Sequence, residues 1–276
     1  MGVVAASLED RHRAKEIAEQ FDIPLLDQAT RSRDLEGGRG ILHLVDGVPS
    51  LQMTGRNVPG AVTIDFADKS MANRRRAGHN ELLGKAVGWK QAHAPGILDA
   101  TGGYGRDAFL LADLGCQVTV CERDPIMALL FQEALVRAAA SEDEWLALVV
   151  AKMALLSGDA KDLDVSALRD VEVIYLDPMF PLDRRAAPGK EMQILHQLLA
   201  FDDTDTDLDA RSQSAQALLE SGTGDDQDAA LLAWARAQKI RRVVVKRPRR
   251  APVIPGPAPG HCLTGKSVRF DVYPVS

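Results

Sequence analysis

The sequence predicts an α/β fold, an open and mostly parallel sheet finished by an antiparallel hairpin and preceded by a smaller α+β portion. Three observations predict it. Between residues 93 and 247, short apolar runs alternate with helical patterns, which builds a parallel sheet through right-handed crossovers. The apolar run Ile97 to Ala100 passes through a glycine-rich turn directly into a helical pattern. Near the end, His261 to Leu263 and Ser267 to Tyr273 flank Thr264-Gly265-Lys266 and read as a hairpin. With 276 residues, 46% of them hydrophobic, the chain can bury a substantial core in one or two domains.

Residues 1–92 form the first portion. Strands are expected near Val3 to Ala6, at His43 to Val45 with Ser50 to Thr54, and at Val62 to Phe66. Gly37-Gly38, Asp46-Gly47 and Pro59-Gly60 mark the turns between them. Met71 to Val87 reads as a helix carrying Arg74-Arg75-Arg76. Residues 93–276 form the sheet domain, with strands at Ile97 to Ala100, Gln117 to Glu122, Met153 to Ser157, Val171 to Asp177 and Arg242 to Lys246. Its helices include Ala108 to Leu114, stopped by Gly115, and Ala128 to Ala140. Residues 202–230 hold nine acids and one base, and read as a solvated acidic insertion or loop with a short helix around Ala215 to Leu219.

The chemistry begins in the turn Gly102-Gly103-Tyr104-Gly105-Arg106-Asp107, where glycines let the backbone approach a ligand closely. Glu122 ends the second strand of the sheet domain at the spacing from which an acid reaches the ribose hydroxyls of a nucleotide-like cofactor. A dinucleotide fingerprint is incomplete, because its third glycine falls on Ala108. Asp107 at the helix start suits a cofactor with an ammonium group, such as S-adenosylmethionine, better than a pyrophosphate. This pattern disfavours a nicotinamide-dependent oxidoreductase on the same sheet.

Asp177-Pro178-Met179-Phe180-Pro181 follows the buried run Val173 to Leu176, so these residues lie at a strand end, where ligands of open α/β sheets bind. The Asp177 carboxylate and the Pro178 carbonyl can accept hydrogen bonds from an exocyclic amine, and Phe180 can stack on the base that carries it. That set suits methyl transfer to a nucleobase nitrogen. The motif alone leaves guanine, adenine or cytosine, and RNA or DNA, open. A strand-ending turn without chemistry is its bland alternative.

The formal net charge is −6, yet Lys239 to Arg250 holds seven bases and no acid. Lys246, Arg247, Arg249 and Arg250, with Arg184-Arg185 and the Arg74, Arg75 pair, are the expected phosphate contacts; the alternative for Lys246 is a strand-end carboxylate such as Asp177, and for Arg74 to Arg76 a solvated face. Cys116, Cys121 and Cys262 show no metal-ligand spacing and fit no disulfide framework, so no metal is expected. No long apolar run and no signal-peptide pattern occurs, so a cytoplasmic setting away from membranes is expected.

Taken together, Leu98 to Phe109, Glu122-Arg123, Val173 to Pro181, Lys190-Glu191-Met192, Val243 to Pro248 and Lys266 to Tyr273 resemble the bacterial small-subunit ribosomal RNA guanine-N2 methyltransferases of the RsmJ family. The resemblance runs from about residue 60 to the end and is weaker before it. It implies a Rossmann-like class I S-adenosylmethionine-dependent methyltransferase sheet. It also implies a guanine N2 in 16S ribosomal RNA, free or in the small subunit, as the methyl acceptor. By the same resemblance, Arg106 and Asp107, Glu122 and Arg123, and Gly158 and Asp159 contact the cofactor, and Asp177 closes the pocket. Gly102 lies in the same cofactor turn. Asp159 is the expected acceptor for an adenine amino group, with a plain helix cap as its bland alternative. Deleting the acidic stretch from Asp202 to Asp228 is expected to leave cofactor affinity and the salt dependence of RNA binding intact.

Overall fold

The computed structural model of the chain describes residues 1–35, 37, 40–56, 58–69, 71, 73, 80–164, 168–178 and 223–275. The chain divides into two compact units between Ile64 and Asp65, earlier than the boundary expected near residue 92. The reason is aromatic packing within the second unit. Phe66 stacks on Phe109 with ring centroids 5.2 Å apart and meets Phe131 edge-on at 5.6 Å.

In the first unit, β1 (Gly2–Ala5) pairs in parallel with β2 (Gly40–Val45), and β2 pairs antiparallel with β3 (Val48–Met53). Asp46 and Gly47 turn the hairpin with φ of 52° and 75°, the positive values that a tight two-residue turn requires. Helix α1 (Asp10–Gln20) packs on β1, and its Asp10 reaches back to accept from the Gly47 amide at 2.7 Å. That bond holds the Asp10 carboxyl below its ordinary pKa. The strand expected at Val62 to Phe66 reduces to a single bridge between Val62 and Leu51.

The second unit holds a seven-stranded sheet in the order β6-β5-β4-β7-β8-β10-β9. Its strands are β4 (Ile97–Asp99), β5 (Val118–Glu122), β6 (Met153–Ser157), β7 (Val173–Leu176), β8 (Arg242–Pro248), β9 (His261–Thr264) and β10 (Val268–Pro274). The first five run parallel, and β10 pairs antiparallel with both β8 and β9. Among the described residues the helices of this unit are α2 (Asn80–Val87), α3 (Arg106–Asp113), α4 (Pro125–Ala139), α5 (Glu144–Val150) and α6 (Thr223–Ala237). β7 is buried at all four residues, as expected of a strand covered on both faces. On one face Ile174, Leu176, Val243 and Val245 pack with Leu232 and Ala235 of α6. This strand order, parallel with an antiparallel finish, matches the open α/β sheet that the sequence predicts.

Helix starts follow local chemistry. Asp124 caps α4 by accepting from the Met127 amide at 2.8 Å, with Pro125 at the first helical position. Asp143 caps α5 in the same way. α6 corrects the reading of residues 202–230. Its segment from Thr223 is helical, and Asp228 is buried against the sheet domain, 3.7 Å from the Arg247 guanidinium. Residues 202–222 lie outside the described part of the chain.

Candidate cofactor and methyl-transfer site

β4 is the strand at which the connections reverse direction, to β5 and β6 on one side and to β7 and β8 on the other. In doubly wound sheets the crevice at that point, at the carboxyl ends of the strands, takes the ligand. Asp99 ends β4, Glu122 ends β5, and Asp177 follows β7. Sequence order thus becomes spatial convergence through the register.

The glycine turn is built against β5. Gly105 precedes α3 with φ of 66°, and a Cβ there would run into the Phe131 ring, so no other residue fits. Glu122 is buried, and its two oxygens accept from the Gly103 amide at 2.6 Å and the Asp124 amide at 2.8 Å. Burial raises its pKa, and the two amide bonds oppose the rise. Glu122 therefore locks the turn to the second strand and holds a carboxylate beside it. Gly158 donates its amide to the Glu122 carbonyl at 2.8 Å, which brings the loop after β6 to the same edge.

A second network joins the strand ends. The Thr101 hydroxyl donates to Asp99 at 3.2 Å and accepts from the Asp177 amide at 2.7 Å. Tyr175 donates its hydroxyl to Asp107 at 2.7 Å. Lys246, from β8, donates to Asp107 at 2.6 Å and to Asp177 at 2.8 Å. Sequence reading missed Thr101 and Tyr175, because nothing along the chain shows which hydroxyls face a strand end. Lys246, expected among the phosphate contacts, is paired instead with Asp177, the strand-end partner that was its alternative, and with Asp107 in the first turn of α3.

Arg247 is a second correction. Side chains alternate along a strand, so if Lys246 faces the site its neighbour turns to the other face. Arg247 is 1% exposed and donates to the Pro252 carbonyl at 2.7 Å. Arg249 and Arg250 are exposed. Arg269, which the sequence did not single out, holds their turn by donating to the Arg249 and Ala251 carbonyls while forming a two-bond pair with Asp271. Arg123 is exposed, and Arg106 lies over the Tyr104 ring at 5.9 Å. Asp159 accepts from the Lys161 amide at 2.9 Å and so caps a short turn in this structure. Pro178 is buried. Phe180, Arg184, Arg185, Arg74 and Arg75 lie outside the described residues.

Asp99 is 3% exposed, and burial, with Asp107 and Asp177 nearby, pushes its pKa up from 3.8 to about 8. The folded state therefore binds a proton that the unfolded state releases, so this group's stabilisation falls as pH rises from about 4 to about 8. Asp99→Asn carries no such proton. Its melting temperature relative to the parent should climb between pH 5 and pH 8.5, and parallel curves in thermal melts would exclude the assignment.

The SAM_MT family model, for SAM-dependent methyltransferases, matches residues 36–220 and 209–275. Ribosomal RNA small subunit methyltransferase J of Pseudomonas syringae is 39% identical over 99% of this chain and 90% of its own length. The Pseudomonas aeruginosa protein of the same name is also 39% identical, over 99% of this chain and 94% of its own. The chain belongs to the ribosomal RNA small subunit methyltransferase J family. A solved SAM-dependent methyltransferase from Neisseria gonorrhoeae is 28% identical, with a TM-score of 0.66, and covers 100% of this chain and 96% of its own. As a member of this methyltransferase family the chain uses S-adenosylmethionine, and a nicotinamide cofactor is not favoured.

The site fits that cofactor. A sulfonium and an ammonium are both cationic, and Asp107, Asp177 and Glu122 line the edge where they would lie. Among the described residues, Gly158, with φ of 137°, has nothing within 4 Å of where a side chain would start. Removing Glu122 would cost the turn its anchor. Glu122→Ala should weaken S-adenosylmethionine binding by about 1.5–3 kcal/mol, measured by calorimetry. Unchanged affinity would show that Glu122 serves the fold alone.

Proposed function

We propose that this chain transfers a methyl group from S-adenosylmethionine to the exocyclic N2 of one guanine in 16S ribosomal RNA, in the cytoplasm. The observation that carries the reading is the position of Asp177-Pro178. They follow β7 at the reversal point of the sheet, and the Asp177 amide is bonded through Thr101 to the end of β4. The choice of ribosomal RNA rests on the names of the relatives, and the choice of N2 on the resemblance of the motifs.

When bound, the cofactor supplies an electrophilic methyl on a sulfonium. The residues of the chain do the positioning. Glu122 and Asp159 hold the ribose and adenine ends, and Arg106, Asp107 and Arg123 line the cofactor's approach. Asp177 and the Pro178 carbonyl accept hydrogen bonds from the guanine amine, so that its nitrogen lone pair points at the methyl. Phe180 stacks on the base. Arg249 and Arg250, with Arg74, Arg75, Arg184 and Arg185, steer the phosphates. Charge neutralisation by such residues makes binding salt-sensitive without reading sequence.

The test is mass spectrometry of nucleosides from 16S RNA of cells with and without the gene. Loss of one N2-methylguanosine, restored by the wild-type gene, supports the reading. An unchanged N2-methylguanosine content with loss of a different methylated base would overturn it.

A further inference from the structure

We propose that Lys246 is a positioning residue for methyl transfer, which holds the Asp177 carboxylate in its ionised, amine-accepting state and ties it to Asp107. The inference deepens the role given above to Asp177 and rests on it. Lys246 lies on β8, one strand beyond β7, and its Nζ reaches both Asp107 Oδ2 and Asp177 Oδ2, at 2.6 and 2.8 Å. Its side chain is 22% exposed, so these contacts are partly shielded from water.

Three features argue for a task beyond holding the fold together. First, the two carboxylates belong to different parts of the site. Asp107 sits in the first turn of α3, after the glycine turn, and Asp177 follows the strand that presents the proposed base-side motif. One ammonium therefore links the cofactor side to the acceptor side. Second, the groups around Asp177 are mostly acidic. Asp99 from the end of β4, Asp107 from α3 and the Tyr175 hydroxyl from β7 share its network, and Asp99 already holds its proton to about pH 8. Without Lys246, the Asp107 carboxylate that shares its ammonium would favour protonation of Asp177, and a protonated carboxyl offers a donor where the amine needs an acceptor.

Third, Lys246 cannot serve as the base itself. Burial alone would lower its pKa, but Asp107 and Asp177 outweigh that effect and raise it above the ordinary lysine value. It stays an ammonium, and its effect on the reaction passes through Asp177. The backbone of Asp177 is held separately by Thr101, so Lys246 sets the carboxylate rather than the chain path.

The experiment compares Lys246→Gln, which keeps an N–H donor without charge, with Lys246→Arg, which keeps charge. Single-turnover methyl transfer to 16S RNA is measured from pH 5 to pH 9, and rates are normalised to the fraction of protein that binds S-adenosylmethionine, so unfolded material does not count. In Lys246→Gln the acid limb should move up by about 1–3 pH units, the effect of an adjacent opposite charge on a carboxylate, so the loss of rate should be largest at pH 5 and fade toward pH 9. Lys246→Arg should keep the acid limb where the parent has it. A wild-type profile in Lys246→Gln, or an equal loss at every pH in both variants, overturns the proposal. Asp177→Asn separates the two ideas: if it keeps the parent rate, the reading of Asp177 itself fails. If it is inactive while Lys246→Gln is unaffected, only the role of Lys246 fails.

Discussion

Asp177→Ala is expected to slow single-turnover methyl transfer by about 100-fold or more, the scale on which small misplacements of reacting groups act. Affinity for S-adenosylmethionine should fall far less. The asymmetry follows from geometry. Alignment of the amine nitrogen matters most in the transition state, whereas the groups proposed to hold the cofactor lie along β5 and the glycine turn, away from Asp177 in sequence. The variant also leaves Lys246 with Asp107 as a remaining partner, so the buried ammonium keeps a counter-charge and the fold should survive. Rapid-quench assays with saturating cofactor measure the rate, and calorimetry measures the affinity. Parent rates in the variant would reduce Asp177 to a turn residue.

Asp228→Ala is expected to be the most damaging change outside the site, costing about 3 kcal/mol or more of folding stability. The reason is that breaking a buried charge pair leaves an uncompensated ion inside. Arg247 is 1% exposed and sits 3.7 Å from Asp228, while a carbonyl at Pro252 takes one of its donors. For a chain of this size each kcal/mol lost moves the melting temperature by about 2–4 °C. Thermal denaturation of Asp228→Ala beside Asp226→Ala, an exposed neighbour, separates burial from simple loss of acid. Equal melting temperatures would mean that Arg247 is satisfied without Asp228. This result bears on any trimming of the acidic stretch, because deletion through Asp228 would remove a buried partner of β8.

Much of the architecture was legible along the chain. The run Val173 to Leu176 is apolar on both faces, and the strand at Ile97 runs into a glycine turn and then a helix, the pattern of a ligand-binding strand end. The antiparallel finish followed from Thr264-Gly265-Lys266 between two short strands. These signals are local: they depend on periodicity, on positive φ and on hydrogen-bond geometry within a few residues. The N-terminal signals of α4 and α5 at Asp124-Pro125 and Asp143 are local too, and went unused.

The candidate residues Glu122 and Asp177 were also chosen from position alone, because strand ends at a reversal point are ligand edges in any sheet of this kind. Charge along the chain was a poorer guide. Lys246, Arg247, Arg249 and Arg250 form one basic run in sequence, yet they divide among three environments. Lys246 faces two carboxylates, Arg247 is buried against α6, and Arg249 and Arg250 face solvent. A strand sends alternate side chains to opposite faces, and what waits on each face comes from elements far away in sequence. Asp107 lies 139 residues from Lys246, and Thr101 lies 76 residues from Asp177. The sequence by itself determined the strands of the seven-stranded sheet, the glycine turn and the strand-end acids, because each is a short-range consequence of backbone chemistry. Only the tertiary structure decided which charges pair, since the register of β4, β7 and β8 sets which side chains meet.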